Sequence, residues 1–281
     1  MQQARTVPAF VVAFVLTGAT AALTPFTAQA AAACTETALI SAINAANNAG
    51  GGNVVLASHC TYTIATSHSS DADGPNALPV ITTAITLTGD TDTITRSTAP
   101  GTAAFRIAKV AATGSLTLKG NTTLNNGKAA TNGGGILNYG AVTLTASALT
   151  GNTAQGRGGA LANTNITAPA KGAAATFTNS SVSGNSATDQ GGGIYNGTRG
   201  SLTTTSSAIK NNTSMATGGG IAAVNSTATT LTSTPVSANH AQTAGGVYRQ
   251  NGTITLTTSP ISGNTPNNCV SSAPSVPGCT A

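Results

Sequence analysis

Acidic side chains are scarce in this sequence. Only six occur among 281 residues: Glu36, Asp71, Asp73, Asp90, Asp92 and Asp189. Asp189 alone falls inside the regular repeats described below. That scarcity argues against most carbohydrate cleavage, which uses two carboxylates facing each other across the sugar. A calcium-dependent lyase is equally ill supplied, since the cation takes about six to eight oxygen ligands. Basic residues are few as well. Eleven Lys and Arg, Arg5 among them, give a formal charge of +5. They stand singly, and aromatic residues make up only 3% of the chain, so the basic, aromatic-interleaved surface of a nucleic-acid binder is missing. A weak attraction to anionic glycans or wall polymers remains open on charge grounds. No unit carries a 3.6-residue apolar period, which excludes leucine-rich and helical repeats.

What the sequence has instead is a column pattern. Aligning Asn126, Asn152, Asn185, Asn212, Asn239 and Asn264 places Thr117, Thr143, Thr176, Thr203, Thr230 and Thr255 nine residues before them. Lys119, Thr145, Thr178, Thr205, Thr232 and Thr257 stand seven before. The positions between and beside them are mostly apolar, as in Val142/Leu144, Ala175/Phe177 and Ile254/Leu256. Leu149, Val182, Ile209, Val236 and Ile261 stand three before the Asn, with Leu124 one place late in the first copy. Apolar-Thr-apolar-Thr alternation is a strand with one face inward. Glycine pairs then restart an extended run, as in Gly134-Gly135-Ile136 and Gly192-Gly193-Ile194. The Asn spacings of 26, 33, 27, 27 and 25 residues predict an all-β fold, a right-handed parallel β-helix with three short strands per coil. The recurring Asn reads as a structural ladder whose residues tolerate a left-handed corner. Ser147, Ser180, Ser207, Thr234 and Ser259, five before each Asn, read as a second ladder.

Leu149-Thr-Gly-Asn152, Val182-Ser-Gly-Asn185 and Ile261-Ser-Gly-Asn264 resemble the FxxN half of the polymorphic outer-membrane-protein repeat, with an aliphatic residue for Phe in every copy. Gly158-Gly-Ala-Leu161, Gly192-Gly-Ile194 and Gly219-Gly-Ile221 resemble its GGAI half. The chain is thus similar to small secreted β-helix proteins of actinobacteria within the pectin-lyase-like superfamily. Enzymes of that superfamily carry carboxylates on adjacent coils. This sequence has no such column, so the resemblance transfers no catalytic residue.

Residues 1–30 read as a secretory signal. Arg5 opens it, an apolar run from Ala9 to Leu23 follows, and Ala28-Gln29-Ala30 suits cleavage. The run is too short and interrupted for a membrane span. Residues 31–281 then form one β-helix domain: a cap over 31–53, coils over 54–265 and a Pro/Ser-rich tail over 266–281. Thr35 and Glu36 open the one helical pattern, Glu36 to Asn48, whose Leu39, Ile43 and Ala46 make a stripe suited to covering the first coil. The four cysteines of an exported chain suggest two disulfides, and stacking order separates Cys34 and Cys60 from Cys269 and Cys279.

The site candidates are few. Asp71-Ala-Asp73-Gly74 is the best cation candidate, but it lacks the third and later ligands of a calcium loop, and a plain Asp-Gly turn is the preferred reading. His240 and Asp189 lie two coils apart, about 10 Å, too far for proton relay, and His59 and His68 have no evident partner. Leu137, Leu161, Tyr195, Ala222 and Tyr248, with Arg249 beside the last, form an outward column that offers a possible binding face. Ordinary exposed strand residues are the simpler reading. The 33-residue spacing implies an inserted loop near Thr164–Ala174 containing Pro169 and Lys171. No catalytic residue, cofactor or metal is expected. The expectation is a secreted, non-enzymatic module contacting polysaccharide or cell-wall polymer. The alternative is a carbohydrate-active enzyme using Arg157, Arg199 or Arg249.

Overall fold

The computed structural model describes residues 31–165 and 172–280. Residues 1–30, read above as a secretory signal, and the centre of the expected inserted loop, with Pro169 and Lys171, lie outside the described residues. The chain forms an all-β parallel solenoid with one short helix, α1 (Glu36–Asn48), near its start. Thr35 Oγ1 caps α1 by accepting from the Ala38 N–H at 3.2 Å. Leu39, Ile40, Ile43 and Ala46 are buried against the first coil. Cys34–Cys60 ties this cap down and Cys269–Cys279 closes the opposite end.

Each regular coil contributes to four parallel sheets, here called faces. The coil after Gly140 is typical: Ala141–Thr145, Ala148–Thr150, Thr153–Ala154 and Leu161–Asn163 supply the first to fourth faces in order. The first and second faces hold eight strands each, the fourth holds six and the third holds four. The three-strand expectation therefore falls short by one. The missing strand is a two-residue piece directly after the ladder Asn, such as Ser186–Ala187, too short to leave a period in the sequence. The first-face strand Gly51–Val55 also begins inside the segment assigned to the cap.

Stacking places like residues on like residues. Val182 lies between Leu149 and Ile209 and is buried. Inward columns of Val142, Ala175 and Leu202, and of Leu144 and Phe177, fill the same core. Thr204 is a polar exception in that core, its hydroxyl donating to Thr234 Oγ1 at 3.1 Å. The serine ladder forms as expected. The Ser147 N–H donates to Ser180 Oγ at 3.2 Å and the Ser180 N–H to Ser207 Oγ at 3.1 Å. Each hydroxyl turns back to a carbonyl two residues earlier, such as Thr178 O.

The asparagine ladder differs from its expected form in two ways. It runs through Asn152, Asn185, Asn212, Asn239 and Asn264, and Asn126 is not a member. Gly127 holds the equivalent position and donates its N–H to Asn152 Oδ1 at 2.9 Å. Leu124 is in register with Leu149, so the Asn is displaced rather than the Leu. The cause is one extra residue, Gly120, in the corner before Asn121, whose N–H donates to Ala146 O. The ladder residues are also not left-handed themselves. That role falls one residue earlier, to Asn126, Gly151, Gly184, Asn211, Ala238 and Gly263, all with φ between 54° and 66°. Each ladder amide instead gives its Nδ2 to the apolar residue's carbonyl one coil back, as Asn212 does to Val182 O at 3.0 Å. Its Oδ1 accepts from the neighbouring coil, as Asn212 Oδ1 does from Asn185 Nδ2 and N at 2.9 and 3.0 Å.

The glycine pairs have a single geometric cause. A Cβ on Gly192 would stand 2.3 Å from Thr213 O and 2.5 Å from Gly219 O, so the coils can close up only without side chains there. In the second run of this series Ala160 takes the place of Gly135 and Gly193. Leu161 therefore pairs with Ile136 and Ile194 and is buried in the core. This corrects its assignment to the outward column, where Ala162 stands instead.

Candidate functional site

The outer surface of the fourth face gathers most of the chemistry. Its corrected outward column reads Lys109, Leu137, Ala162, Tyr195, Ala222 and Tyr248 in register. Leu137, Ala162, Tyr195 and Ala222 are buried although they lie outside the core. They pack into two satellite clusters, one with Tyr139 and one with Val224 and the half-buried Tyr248. The simple exposed-strand reading of this column does not hold, because side chains from neighbouring loops and coils fold over it.

At the N-terminal end the covering element is a hairpin. Ser69–Asp71 and Gly74–Asn76 pair antiparallel on either side of the Asp-Gly turn. Asp71 Oδ1 accepts from the Asp73 N–H at 3.0 Å, which makes the Asp-Gly turn. Both carboxylates then receive Lys109 Nζ, that of Asp73 at 2.6 Å. The position a cation would take in this loop is filled by that ammonium group. Tyr139 donates its hydroxyl to Asp73 Oδ1 at 2.9 Å, and Lys109 stands 5.4 Å over its ring. Beneath them Arg106 is 1% exposed. It donates to Asn76 Oδ1, Gly74 O, Asn132 O and Thr131 Oγ1. Burial alone would raise Asp71, but hydrogen bonds from Lys109 and the Asp73 N–H, with the charges of Lys109 and Arg106, outweigh it and hold the carboxyl below its ordinary value. Burial and the Asp73 hydrogen bond push the Tyr139 phenol far up.

Two coils further on stands a second constellation. Arg157 Nε donates to Asp189 Oδ2 at 2.8 Å and Nη1 to Tyr195 Oη at 3.2 Å, with the guanidinium 5.1 Å from the ring centroid. Burial would lower Arg157, and the Asp189 and Tyr195 partners overcome it and raise the group. Burial raises the Tyr195 phenol, with Arg157 pulling the other way. Tyr195, Arg157 and Asp189 therefore meet, while Arg249 is engaged elsewhere. It binds Gly252 O through Nε and Nη2, and Ser275 O of the tail through Nη1 at 2.8 Å. Arg199 occupies a left-handed turn, φ 58°.

The remaining acids are committed to the framework. Asp92 is fully buried and accepts from the Cys60 and Asp90 N–H groups. Asp90 accepts from Ser58 Oγ, and that hydroxyl also meets His59 Nδ1 at 2.6 Å. Since the acid holds the serine and not the imidazole, the three do not form a nucleophile–base–acid relay. His68 has a partner after all, Glu36 at 2.6 Å. A shallow depression of about 330 Å³ at the corner of the first and second faces is lined by Thr91, Asn121, Ala146, Ser147 and Asn179, with no ionisable side chain. Among the described residues no group of three His, Cys, Asp or Glu converges on one point, and no helix is long and apolar enough to cross a membrane.

Sequence reasoning missed Lys109, Tyr139 and Arg106. The early coils lack glycine pairs, so Lys109 could not be aligned with Leu137 by the pattern that found Tyr195. It also missed a third ladder inside the fourth face. Asn138 Nδ2 donates to Asn163 Oδ1 and Asn163 Nδ2 to Asn196 Oδ1, both at 2.8 Å. Its signal is an Asn two residues after the apolar strand starter, present in only three coils. Comparison with known protein families, with characterised proteins and with solved structures finds no match. The parallel β-solenoid thus defines the class, and the site must speak for itself.

Proposed function

We propose that this chain is an exported, non-enzymatic β-helix, of the polymorphic outer-membrane-protein repeat type within the pectin-lyase-like superfamily. In this reading it contacts polysaccharide or cell-wall polymer along the fourth face. The supporting observation is the grouping of Tyr139, Tyr195 and Tyr248 with Arg157 on that one surface. Phenol hydroxyls and a guanidinium fork suit sugar hydroxyls and uronate carboxylates. Two disulfides fit an extracellular setting.

The enzyme reading has one observation in its favour, the meeting of Arg157, Tyr195 and Asp189. A lyase base must give up its proton, however, and Asp189 holds Arg157 protonated while burial holds Tyr195 protonated. The test measures retention on insoluble wall polymers and on immobilised polyuronates, with new chain ends assayed in the same samples. Retention that weakens in Arg157→Ala and Tyr248→Ala, without new ends, supports the contact role. New ends that vanish in Arg157→Ala would establish the enzyme instead, and absence of retention on every polymer would remove the glycan reading.

A further inference from the structure

The first face presents a different surface, built almost wholly of threonine. Its outward positions form two columns. Thr143, Thr176, Thr203, Thr230 and Thr255 stack in register, and so do Thr145, Thr178, Thr205, Thr232 and Thr257. Thr117 and Thr86 extend the first column, whereas Lys119 and Thr88 extend the second. The five strands from Ala141–Thr145 to Thr253–Thr257 carry no insertion and no charged residue. All ten threonines are half-exposed or exposed. None of their hydroxyls bonds to another described residue. The flanking outward column holds only Ala141, Ala174, Ser201, Ala228 and Thr253.

Such a surface is a lattice of hydroxyl and methyl groups with fixed spacing. Adjacent strands stand about 4.8 Å apart, and alternate residues of a strand about 6.7 Å apart. β-Branching restricts χ1, so the threonine side chains have few positions to choose from and the rows keep the strand spacing. Oxygens joined tetrahedrally by hydrogen bonds of about 2.75 Å repeat about every 4.5 Å, and along the six-fold axis about every 7.3 Å. The threonine rows come close to both repeats, and closest along the solenoid axis. Each free hydroxyl offers one donor and two acceptor sites to such a lattice, while the methyl groups between rows leave room for ordered water in the troughs.

We infer that the first face binds crystalline water, making the protein an ice-binding module through its Thr143–Thr257 array. The neutrality of the face selects this occupant. An anionic polymer would require cations where only threonine stands, and a crystalline neutral polysaccharide would favour aromatic platforms, which this face lacks. The fourth face keeps its own proposed partner, so the two contacts are independent.

The test grows ice slowly from a dilute solution of the purified full chain and measures protein enrichment in the solid, alongside the shape and growth arrest of single crystals below the melting point. The wild-type chain is expected to enter ice and to facet it. Thr203→Tyr with Thr205→Tyr, in the centre of the array, is expected to lose enrichment to the level of an inert globular protein. Thr203→Ser with Thr205→Ser, which keeps the hydroxyls and the fold and removes only the methyls, is expected to lose part of it. Ser183→Tyr on the second face is expected to change nothing, and circular dichroism should show all variants folded. Exclusion of the wild-type chain from ice overturns the inference, as does an equal loss in Ser183→Tyr. Retention on microcrystalline cellulose or chitin that depends on Thr203, without ice enrichment, would reassign the face to polysaccharide.

Discussion

The coils before Gly134 and the coils after it solve the same stacking problem with different chemistry. The later coils repeat one another closely, so the ladder Asn and Ser side chains meet their own copies one level away. An Asn–Asn or Ser–Ser contact then satisfies both partners, and ladders carry the coil-to-coil bonding without charge. The earlier coils are unequal in length and, with α1, hold five of the six acids. Their bonds are individual fittings: the Lys109–Asp71–Asp73 clamp, the Arg106 anchor, the Asp92 turn and the Cys34–Cys60 link. Periodicity permits neutral bonding, whereas irregularity requires ions and a disulfide.

The largest test of this contrast strikes the repeat core. Val182→Asp puts a carboxylate between Leu149 and Ile209 with no cation in its column, and should cost at least about 4 kcal/mol. Thr205→Asp on the outer surface should cost under about 1 kcal/mol in the same thermal melts. Comparable losses for the two would mean that the assigned inside and outside of the coil are wrong.

Asn185→Ala comes next. It removes the acceptor of the Asn152 N–H and the amide donor to the Leu149 carbonyl, and takes away one of two bonds each from Asn152 Nδ2 and Asn212 Oδ1. Each unmet buried group costs about 1–3 kcal/mol before relaxation, so a net loss of about 3 kcal/mol is expected by chemical denaturation. Asn126→Ala, outside the ladder, should lose far less. The reverse order would restore Asn126 to the ladder.

Acid should separate the two regions by a smaller margin. The folded-state values of Asp71 and Glu36 lie below their ordinary range despite burial, because of Lys109 and the Asp73 N–H for the first and the Ala65 N–H and His68 for the second. A depressed carboxyl stabilises the fold above its unfolded pKa, and that contribution is lost as pH falls through the folded value. Below about pH 4, hydrogen exchange should therefore quicken first in α1 and the hairpin, before the coils from Ile136 to Ser262. Uniform exchange along the solenoid would erase the distinction.

The smallest effect is a gain. Ala238 sits in the left-handed region, φ 54°, at a corner where other coils use Gly or Asn. Ala238→Gly should stabilise by about 0.5–1 kcal/mol, the difference between relieved crowding and the entropy of glycine. A loss on calorimetry would show that the alanine methyl packs usefully there.

Much of this architecture was legible because its cause is local. Glu36–Asn48 carries its own cap and stripe, the threonine columns alternate by strand geometry, and Val182 repeats in phase with Leu149 and Ile209. What escaped the sequence is what one-residue shifts or long separations conceal. Gly120 displaced Asn126 from the ladder, and Ala160 in a glycine position disguised Leu161 as outward. Lys109 reaches Asp71 and Asp73 from 38 and 36 residues away, and Tyr139 reaches Asp73 from 66. No periodic signal records such pairings, so the clamp on the fourth face became visible only in three dimensions.

The asparagine ladder has a direction. From Asn152 onward every amide donates toward the next coil, and the last donor, Asn264, is received at 3.0 Å by Asn268 Oδ1 of the tail. The amides behave as a vectorial polymer with distinct first and last units, Gly127 as initiator and Asn268 as terminator. Inserting a whole coil between Asn185 and Asn212 would extend the polymer and leave both terminal units unchanged. The length of the solenoid is therefore a free variable, and its two ends are what the sequence has to specify.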